Sequence, residues 1–310
     1  MKIMLTGARG MVGRNLLEHA GAAEHVWSAP GRAELDLSNF SAVRDYIAQC
    51  KPDLVIHAAG LVGGIQANIR EPSRFLVENY EIGKNVLLAA QQYGVPELVN
   101  IGSSCMYPKD RSAALEESEV LSGPLEPTNE GYALAKIAVA RLADYISREH
   151  PALSYKTLVP CNLYGRHDKF DPRWSHLIPA VIHKLHHAKL TGEKEIEIWG
   201  DGTARREFMY AGDLAQALLQ AAGNLSGLGN LTNIGVGADF TVNQYYAAAA
   251  EVIGFDGHFR HDLTKPVGMS RKLTNVDRAG AWGWRSSTSL TQGLKQTYDF
   301  YLTSTDIDRI

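Results

Sequence analysis

An α/β fold built on a doubly wound parallel sheet follows from two observations in the sequence. Short apolar runs alternate with stretches of helical periodicity through the first half of the chain. The first apolar run also leads straight into a glycine-rich turn and a helix. In order, Lys2-Ile-Met-Leu-Thr6 reads as a strand, Gly7-Ala-Arg-Gly10-Met-Val-Gly13 as the turn and Asn15-Leu-Leu-Glu-His-Ala20 as the helix. His25-Val-Trp-Ser-Ala29 is a second strand, Phe40 to Cys50 a helix and Leu54-Val-Ile-His57 a third strand. Pro72 to Tyr93, Leu98-Val-Asn-Ile101, Asn129 to Glu149 and Tyr155 to Val159 continue the alternation. After about residue 165 it breaks into Gly-, Pro- and His-rich segments, with helices near 176–190, 213–222, 242–253 and 290–302. Residues 1–165, with returning segments about 205–240, are expected to form the sheet domain. About 166–204 and 241–310 then form a smaller, mostly C-terminal cap over the carboxyl ends of the strands, where open sheets bind ligands. The chain crosses between the parts more than once, so no single linker divides them, and no repeat or low-complexity tract is present.

Composition narrows the classes. At 310 residues the chain can bury a sizeable core, and its apolar fraction is 45%. A formal charge of −3 without a basic stripe excludes a nucleic-acid or anionic-membrane surface as the expected partner. Cys50, Cys105 and Cys161 are odd in number and lack metal-ligand spacing, so reduced thiols and no metal site are expected. No apolar stretch approaches a membrane span, and the first apolar run is too short for a signal peptide. A soluble cytoplasmic protein is the expectation.

The glycine turn carries the first chemistry. A strand, Gly-xx-Gly-xx-Gly and a helix form the context of a dinucleotide-binding loop, in which glycines permit a tight turn and close backbone approach to a pyrophosphate. That makes the expected fold Rossmann-type and assigns Gly7, Arg9, Gly10, Met11, Val12 and Gly13 to the cofactor. Where a NAD enzyme usually has an acid after the second strand, this chain reads Ala29-Pro-Gly-Arg32. Arg9 and Arg32 suit a 2′-phosphate, which favours NADP(H); the alternative is two solvated charges, with Glu34 close enough to serve NAD. Asp36 and Leu37 are expected beside the adenine, and Ala58, Ala59 and Gly60 offer small residues where the cofactor passes closely.

The second chemistry lies in four side chains: Ser103, Cys105, Tyr132 and Lys136. Tyr132 and Lys136 are four apart and project from one helix face. The ammonium is expected to lower the phenol's pKa towards neutrality so that Tyr132 exchanges a proton, while Ser103 bonds the same substrate oxygen. Such a pair alone is often only a surface contact, and a free cysteine is usually buried and inert. Following a cofactor loop and beside Ser103, they read as a site.

Together, Gly7-xx-Gly-xx-Gly13, Ser103 and Tyr132-xxx-Lys136 resemble the extended short-chain dehydrogenases/reductases, in the branch that acts on nucleotide sugars. Gly102-Ser-Ser-Cys-Met-Tyr-Pro108, Glu126-Pro-Thr-Asn-Glu-Gly-Tyr132, Asn162-Leu-Tyr-Gly165, Ser175-His-Leu-Ile-Pro179 and Trp199-Gly-Asp-Gly-Thr-Ala-Arg-Arg-Glu-Phe208 are similar to the GDP-L-fucose synthase family. The resemblance covers nearly the whole chain, is densest from 100 to 210 and thins after 230. It implies an NADPH-dependent 3,5-epimerase/4-reductase of a GDP-4-keto-6-deoxy sugar. In it Cys105 is the base, His176 the acid and Tyr132 the proton donor at C4. It further implies that Pro160, Asn162, Leu163 and His176 approach the cofactor. Ser104, Asn162, Lys184, Trp199, Arg206 and Lys272 would meet the GDP-sugar. It also implies a homodimer through the helices of 72–93 and 129–149, with Phe75, Val77, Ile82, Ile137, Leu142 and Tyr145 as their apolar stripes.

One departure stands out: Arg166 and Trp174 occupy places before His176 where the family pattern has smaller residues, which opens other deoxy or heptose 4-keto sugars. A 4,6-dehydratase needs an acid pair after Ser103, and Ser104-Cys105 is not one. A 4-epimerase retaining NAD needs no Cys/His couple, and a non-catalytic NADP-binding sensor needs no proton-transfer tyrosine.

Overall fold

The computed structural model describes residues 1–171, 175–265 and 269–304. Its strands are β1 Lys2–Thr6, β2 Val26–Ser28, β3 Leu54–His57, β4 Glu97–Ile101, β5 Ser154–Pro160, β6 Asn162–Tyr164, β7 Glu195–Trp199, β8 Arg205–Arg206, β9 Phe208–Tyr210, β10 Leu231–Ile234, β11 Phe240–Thr241, β12 His258–Asp262 and β13 Arg271–Lys272. Its helices are α1 Met11–Leu17, α2 Phe40–Cys50, α3 Ile65–Arg70, α4 Pro72–Gln92, α5 Glu130–Glu149, α6 Leu177–Thr191, α7 Ala211–Gly223, α8 Val242–Ile253, α9 Asp277–Ala281 and α10 Leu290–Thr303. A six-stranded sheet of order β10-β5-β4-β3-β1-β2, parallel throughout, forms the centre.

Two-residue alternation explains why both faces of this sheet are covered. Ile3, Leu5, Leu54 and Ile56 point into a core shared with Leu214, Leu218 and Trp284. Met4, Val55 and Leu98 point the other way, into a core with Val43, Val86 and Ala143. Each such aliphatic side chain, fully removed from water, contributes roughly 1.5–3 kcal/mol. β10 pairs with β5 from Leu231↔Thr157 to Ile234↔Pro160, so the chain returns to the main sheet after β9. A separate core gathers Ile178, Ile182 and Leu185 of α6, Tyr245 and Ala249 of α8 and Leu294, Tyr298 and Tyr301 of α10.

The expected doubly wound α/β sheet is present, and its expected helices lie within a few residues of those observed. The short strands β7, β8, β11, β12 and β13 were not anticipated. Two-residue strands carry no alternation to detect, and β12, His258–Asp262, is mostly exposed and polar. The expected stripes on α4 and α5 also divide: Phe75 and Ile137 are each 4% exposed and pack inside the chain's own fold. The outward apolar residues are Val77 and Tyr80 of α4 with Leu134 and Tyr145 of α5. No helix among the described residues is long and apolar enough to cross a membrane.

Candidate active site

The cofactor end of the site is made by backbone. Gly7 has φ +75°, and a Cβ there would stand 2.6 Å from the Ala59 nitrogen. A Cβ on Gly13 would stand 2.4 Å from the Gly7 carbonyl oxygen. Loop, helix and the Ala58–Ala59 segment thus close to a distance only glycine permits, leaving the concave backbone a pyrophosphate needs. The Arg9 guanidinium lies over Gly31, where a Cβ would be 2.5 Å from its central carbon, next in sequence to Arg32. Glu34 is tied to its own turn: its carboxylate accepts the Gly31 N–H at 2.5 Å. Asp36 accepts both the backbone N–H and the hydroxyl of Ser38, at 3.0 and 2.8 Å. Both acids near the end of β2 are therefore engaged locally while two guanidinium groups stay near it, which fits a phosphorylated ribose.

Further along, Asn79 of α4 holds the segment after β3, accepting from Leu61 N at 2.9 Å and donating to the Leu61 carbonyl at 3.1 Å. Lys136 Nζ stands 3.8 Å from the position of a Gly60 Cβ and donates to the Ile101 carbonyl at 2.8 Å. That bond ties α5 to the end of β4, where Ser103 and the short turn Ser104–Met106 follow. Ser103 Oγ accepts the Cys105 N–H at 3.2 Å, and Ser104 is buried.

Here an expectation is corrected. The Tyr132 pKa is raised, first by burial and then by Cys105, and only the hydrogen bond with Ser103 acts the other way. The ammonium of Lys136 lies 5.8 Å from the ring centroid and bonds a carbonyl, and burial pushes its own pKa down to about 8. Desolvation of the phenolate outweighs its attraction to the lysine. Tyr132 consequently holds its proton at neutral pH, the state a donor to a reduced carbonyl requires.

Cys105 and His176 converge through Lys272. Lys272 Nζ lies 3.6 Å from Cys105 Sγ. The His176 pKa is lowered, first by burial and then by the charges of Lys169 and Lys272. All three effects favour the neutral imidazole. His176 itself occupies the N-cap position of α6 without a side-chain capping bond.

The cationic wall comes from paired two-residue strands. Arg271 lies opposite Arg205 and Lys272 opposite Arg206. On one face, Arg205 Nε and Arg271 Nε both donate to buried Asp239, at 2.7 and 2.5 Å. By alternation Arg206 and Lys272 share the other face, adjacent in register and suited to a diphosphate. Burial lowers the Arg206 pKa, with Glu126 acting against it, and lowers that of Lys184 on α6.

The remaining expected residues are less central. Asn162 donates to the Glu207 carbonyl at 3.0 Å, Pro160 ends β5 and Leu163 packs on the main core. Trp199 is 49% exposed at the end of β7, with its indole N–H held by Glu197 at 3.2 Å. Arg166 pairs with Glu18 and lies 6.0 Å from the Phe300 ring, so its side chain serves the junction of α1 and α10. Trp174 lies outside the described residues.

Two contributors were not foreseen. Asn129 donates to Cys105 Sγ at 3.2 Å. Buried Glu207 accepts from Thr274 N, Val236 N and Gly237 N at 2.7–2.8 Å, fixing the segment that follows Lys272. Asn129 lies in a run already quoted for its resemblance, but an Asn before a helix reads first as a cap. Glu207 also lies in a quoted run, but flanked by arginine and phenylalanine it reads first as an ordinary surface acid.

A glycine cradle at the head of a parallel sheet and a Tyr/Lys pair beside Ser103 define a nucleotide-dependent dehydrogenase or epimerase of the extended kind. The chain belongs to the NAD dependent epimerase/dehydratase family, whose model matches residues 3–235. It is 48% identical to a GDP-L-colitose synthase of Yersinia pseudotuberculosis over 99% of this chain and 100% of that protein. It is 47% identical to a GDP-L-fucose synthase of Azorhizobium caulinodans, over 99% and 98%. Among solved structures it is similar to a GDP-mannoheptose C4 reductase from Campylobacter jejuni with NADP bound, at a TM-score of 0.88 and 30% identity, covering 97% and 98% of the two chains.

Proposed function

We propose that the protein is an NADPH-dependent epimerase/reductase of a GDP-4-keto-6-deoxy sugar, converting GDP-4-keto-6-deoxy-D-mannose to GDP-L-fucose. The observation that carries this reading is a half-buried thiol within 3.6 Å of a lysine, in the same site as a protonated Tyr132 and beside His176. A C4 ketone acidifies the hydrogens on C3 and C5. Cys105 takes such a proton as thiolate; His176, protonated once the substrate diphosphate offsets the charges of Lys169 and Lys272, returns one to the opposite face, and each centre inverts through an enolate. Bound NADPH supplies a hydride to C4. Tyr132 gives its proton to the C4 oxygen, Ser103 bonds that oxygen, and Lys136 holds the tyrosine's helix to β4. Arg206 and Lys272 bind the diphosphate; Asn162, Lys184, Ser104 and Trp199 line the sugar nucleotide.

NADP rather than NAD is supported by Arg9 over Gly31, by the bond that ties Glu34 to Gly31 and by the NADP-bound relative. A second reading rests on the GDP-L-colitose synthase at 48% identity: the same residues act on another GDP-4-keto deoxy sugar. One experiment separates them. NADPH oxidation is measured with a panel of GDP- and UDP-4-keto sugars in D₂O, with products identified by NMR. Deuterium at both C3 and C5 of the fucose precursor supports the first reading, and a better substrate labelled at one carbon supports the second. Reduction without any deuterium means a plain 4-reductase.

The same reading divides the chain into a cofactor domain, 1–165 with about 205–240, and a substrate domain, about 166–204 and 241–310. It also includes a homodimer through the outward residues Val77, Tyr80, Leu134 and Tyr145, which are 40–57% exposed, and a cytoplasmic location. Light scattering that finds a monomer at micromolar concentration removes the dimer.

A further inference from the structure

Asn129 stands at the N-cap of α5, a position its side chain is well suited to close, yet it makes no capping bond. Its amide nitrogen instead donates to Cys105 Sγ at 3.2 Å. The carbonyl oxygen of the same amide is buried and has no hydrogen-bond partner in the protein. The oxygen that could cap the helix is thus unused, and the amide nitrogen is directed at the thiol.

We propose that Asn129 is a positioning residue for Cys105: its N–H aligns the sulfur and stabilises it as a thiolate. This deepens the epimerase/reductase reading and rests on it for the consequence, though not for the contact. A thiolate only accepts hydrogen bonds, so the amide must face it with nitrogen. With Lys272 Nζ at 3.6 Å the sulfur then has two donors from different segments. The lysine supplies charge on a flexible stem; the amide, fixed at the start of a twenty-residue helix, supplies direction.

The test is Asn129→Asp, which keeps the shape, is an equally good or better helix cap and replaces the donor by a charged acceptor. Its Tm is expected to equal or exceed the wild-type value. Iodoacetamide labelling of Cys105 at neutral pH, read on its peptide by mass spectrometry without substrate, slows roughly 10-fold. Cys50 and Cys161, 9% and 5% exposed, stay unlabelled as internal controls. With the 4-keto sugar in D₂O, deuterium uptake at carbon slows roughly 10- to 100-fold. The share of unepimerised 4-reduced product rises. Asn129→Ser, which keeps a donor, recovers part of both rates. A stable Asn129→Asp protein with wild-type labelling and exchange overturns the proposal. Should wild-type enzyme take up no deuterium at all, the epimerase reading fails; the labelling rate alone then decides, slow supporting the contact and unchanged refuting it.

Discussion

The cofactor loop and the proton-transfer cluster meet at Lys136, yet they are built in different ways. Around Gly7 and Gly13 the shape is set by backbone, with atoms so close that no side chain fits between them. Around Cys105 it is set by side chains from distant segments: Asn129 from the start of α5, Lys272 from β13 and His176 from the start of α6. Backbone placed within seven residues is rigid and tolerates little change. Side chains held by Asp239 and Glu207 can be altered one at a time without closing the site. The arrangement suits a fold that keeps its cofactor loop while the substrate half varies.

The largest effect is expected on the side-chain half. Tyr132→Phe removes the proton given to the C4 oxygen and should lower reduction by roughly 10²–10⁴, with NADPH affinity nearly unchanged. The phenol is held protonated by burial, so its loss removes a proton that no neighbouring group replaces. Stopped-flow hydride transfer together with NADPH titration checks both halves of the statement. Near wild-type turnover would falsify the assignment of Tyr132.

On the backbone half, Gly7→Ala should both weaken NADPH binding and destabilise the fold. A non-glycine residue at φ +75° costs about 1–3 kcal/mol before any contact is counted. The added Cβ also meets backbone of Ala58 and Ala59, which has no flexible end to move aside. Thermal unfolding with and without NADPH separates the two losses. A Gly7→Ala protein as stable as wild type would mean that the loop is not rigid, and the contrast between the halves would collapse.

Arg9→Ala with Arg32→Ala probes the one place where the cofactor half depends on side chains. NADPH should lose about 1.5–3 kcal/mol per charge-assisted bond, while NADH loses little. Equal losses for both cofactors place the 2′-phosphate elsewhere.

The contrast also explains what could be read from the sequence. Gly7-xx-Gly-xx-Gly13 and Tyr132-xxx-Lys136 are local spacings, so their physics is written along a few consecutive residues. Long periodic helices such as α4 and α5 were visible for the same reason. The clamp of Arg205 and Arg271 on Asp239 joins residues 34 and 32 apart in sequence through strands too short to show a pattern. The direction of the Tyr132 shift was misjudged because sequence gives the neighbour on the helix but not the burial that outweighs it. Asn129 was hidden behind a more ordinary role, that of a helix cap.

The smallest expected effect lies at the seam between the halves. His57 ends β3, buried, with Nδ1 2.8 Å from Thr6 Oγ1. Burial, aided by the charge on Lys136, lowers its pKa to about 3. In the unfolded chain the ring titrates near 6.5, so acid binds the unfolded state first. The contribution of the neutral ring to stability is complete above pH 6.5 and is lost progressively as pH falls towards 3. Between pH 6.5 and 5 this amounts to roughly 2 kcal/mol at most, by the linkage of pKa to free energy. His57→Asn keeps both a donor and an acceptor for the Thr6 hydroxyl but cannot take up the proton. Urea denaturation across this range should therefore show wild type losing more stability than His57→Asn as the pH drops. Parallel slopes for the two proteins would mean that His57 is not desolvated, and that water reaches the seam where the rigid cofactor loop gives way to the assembled site.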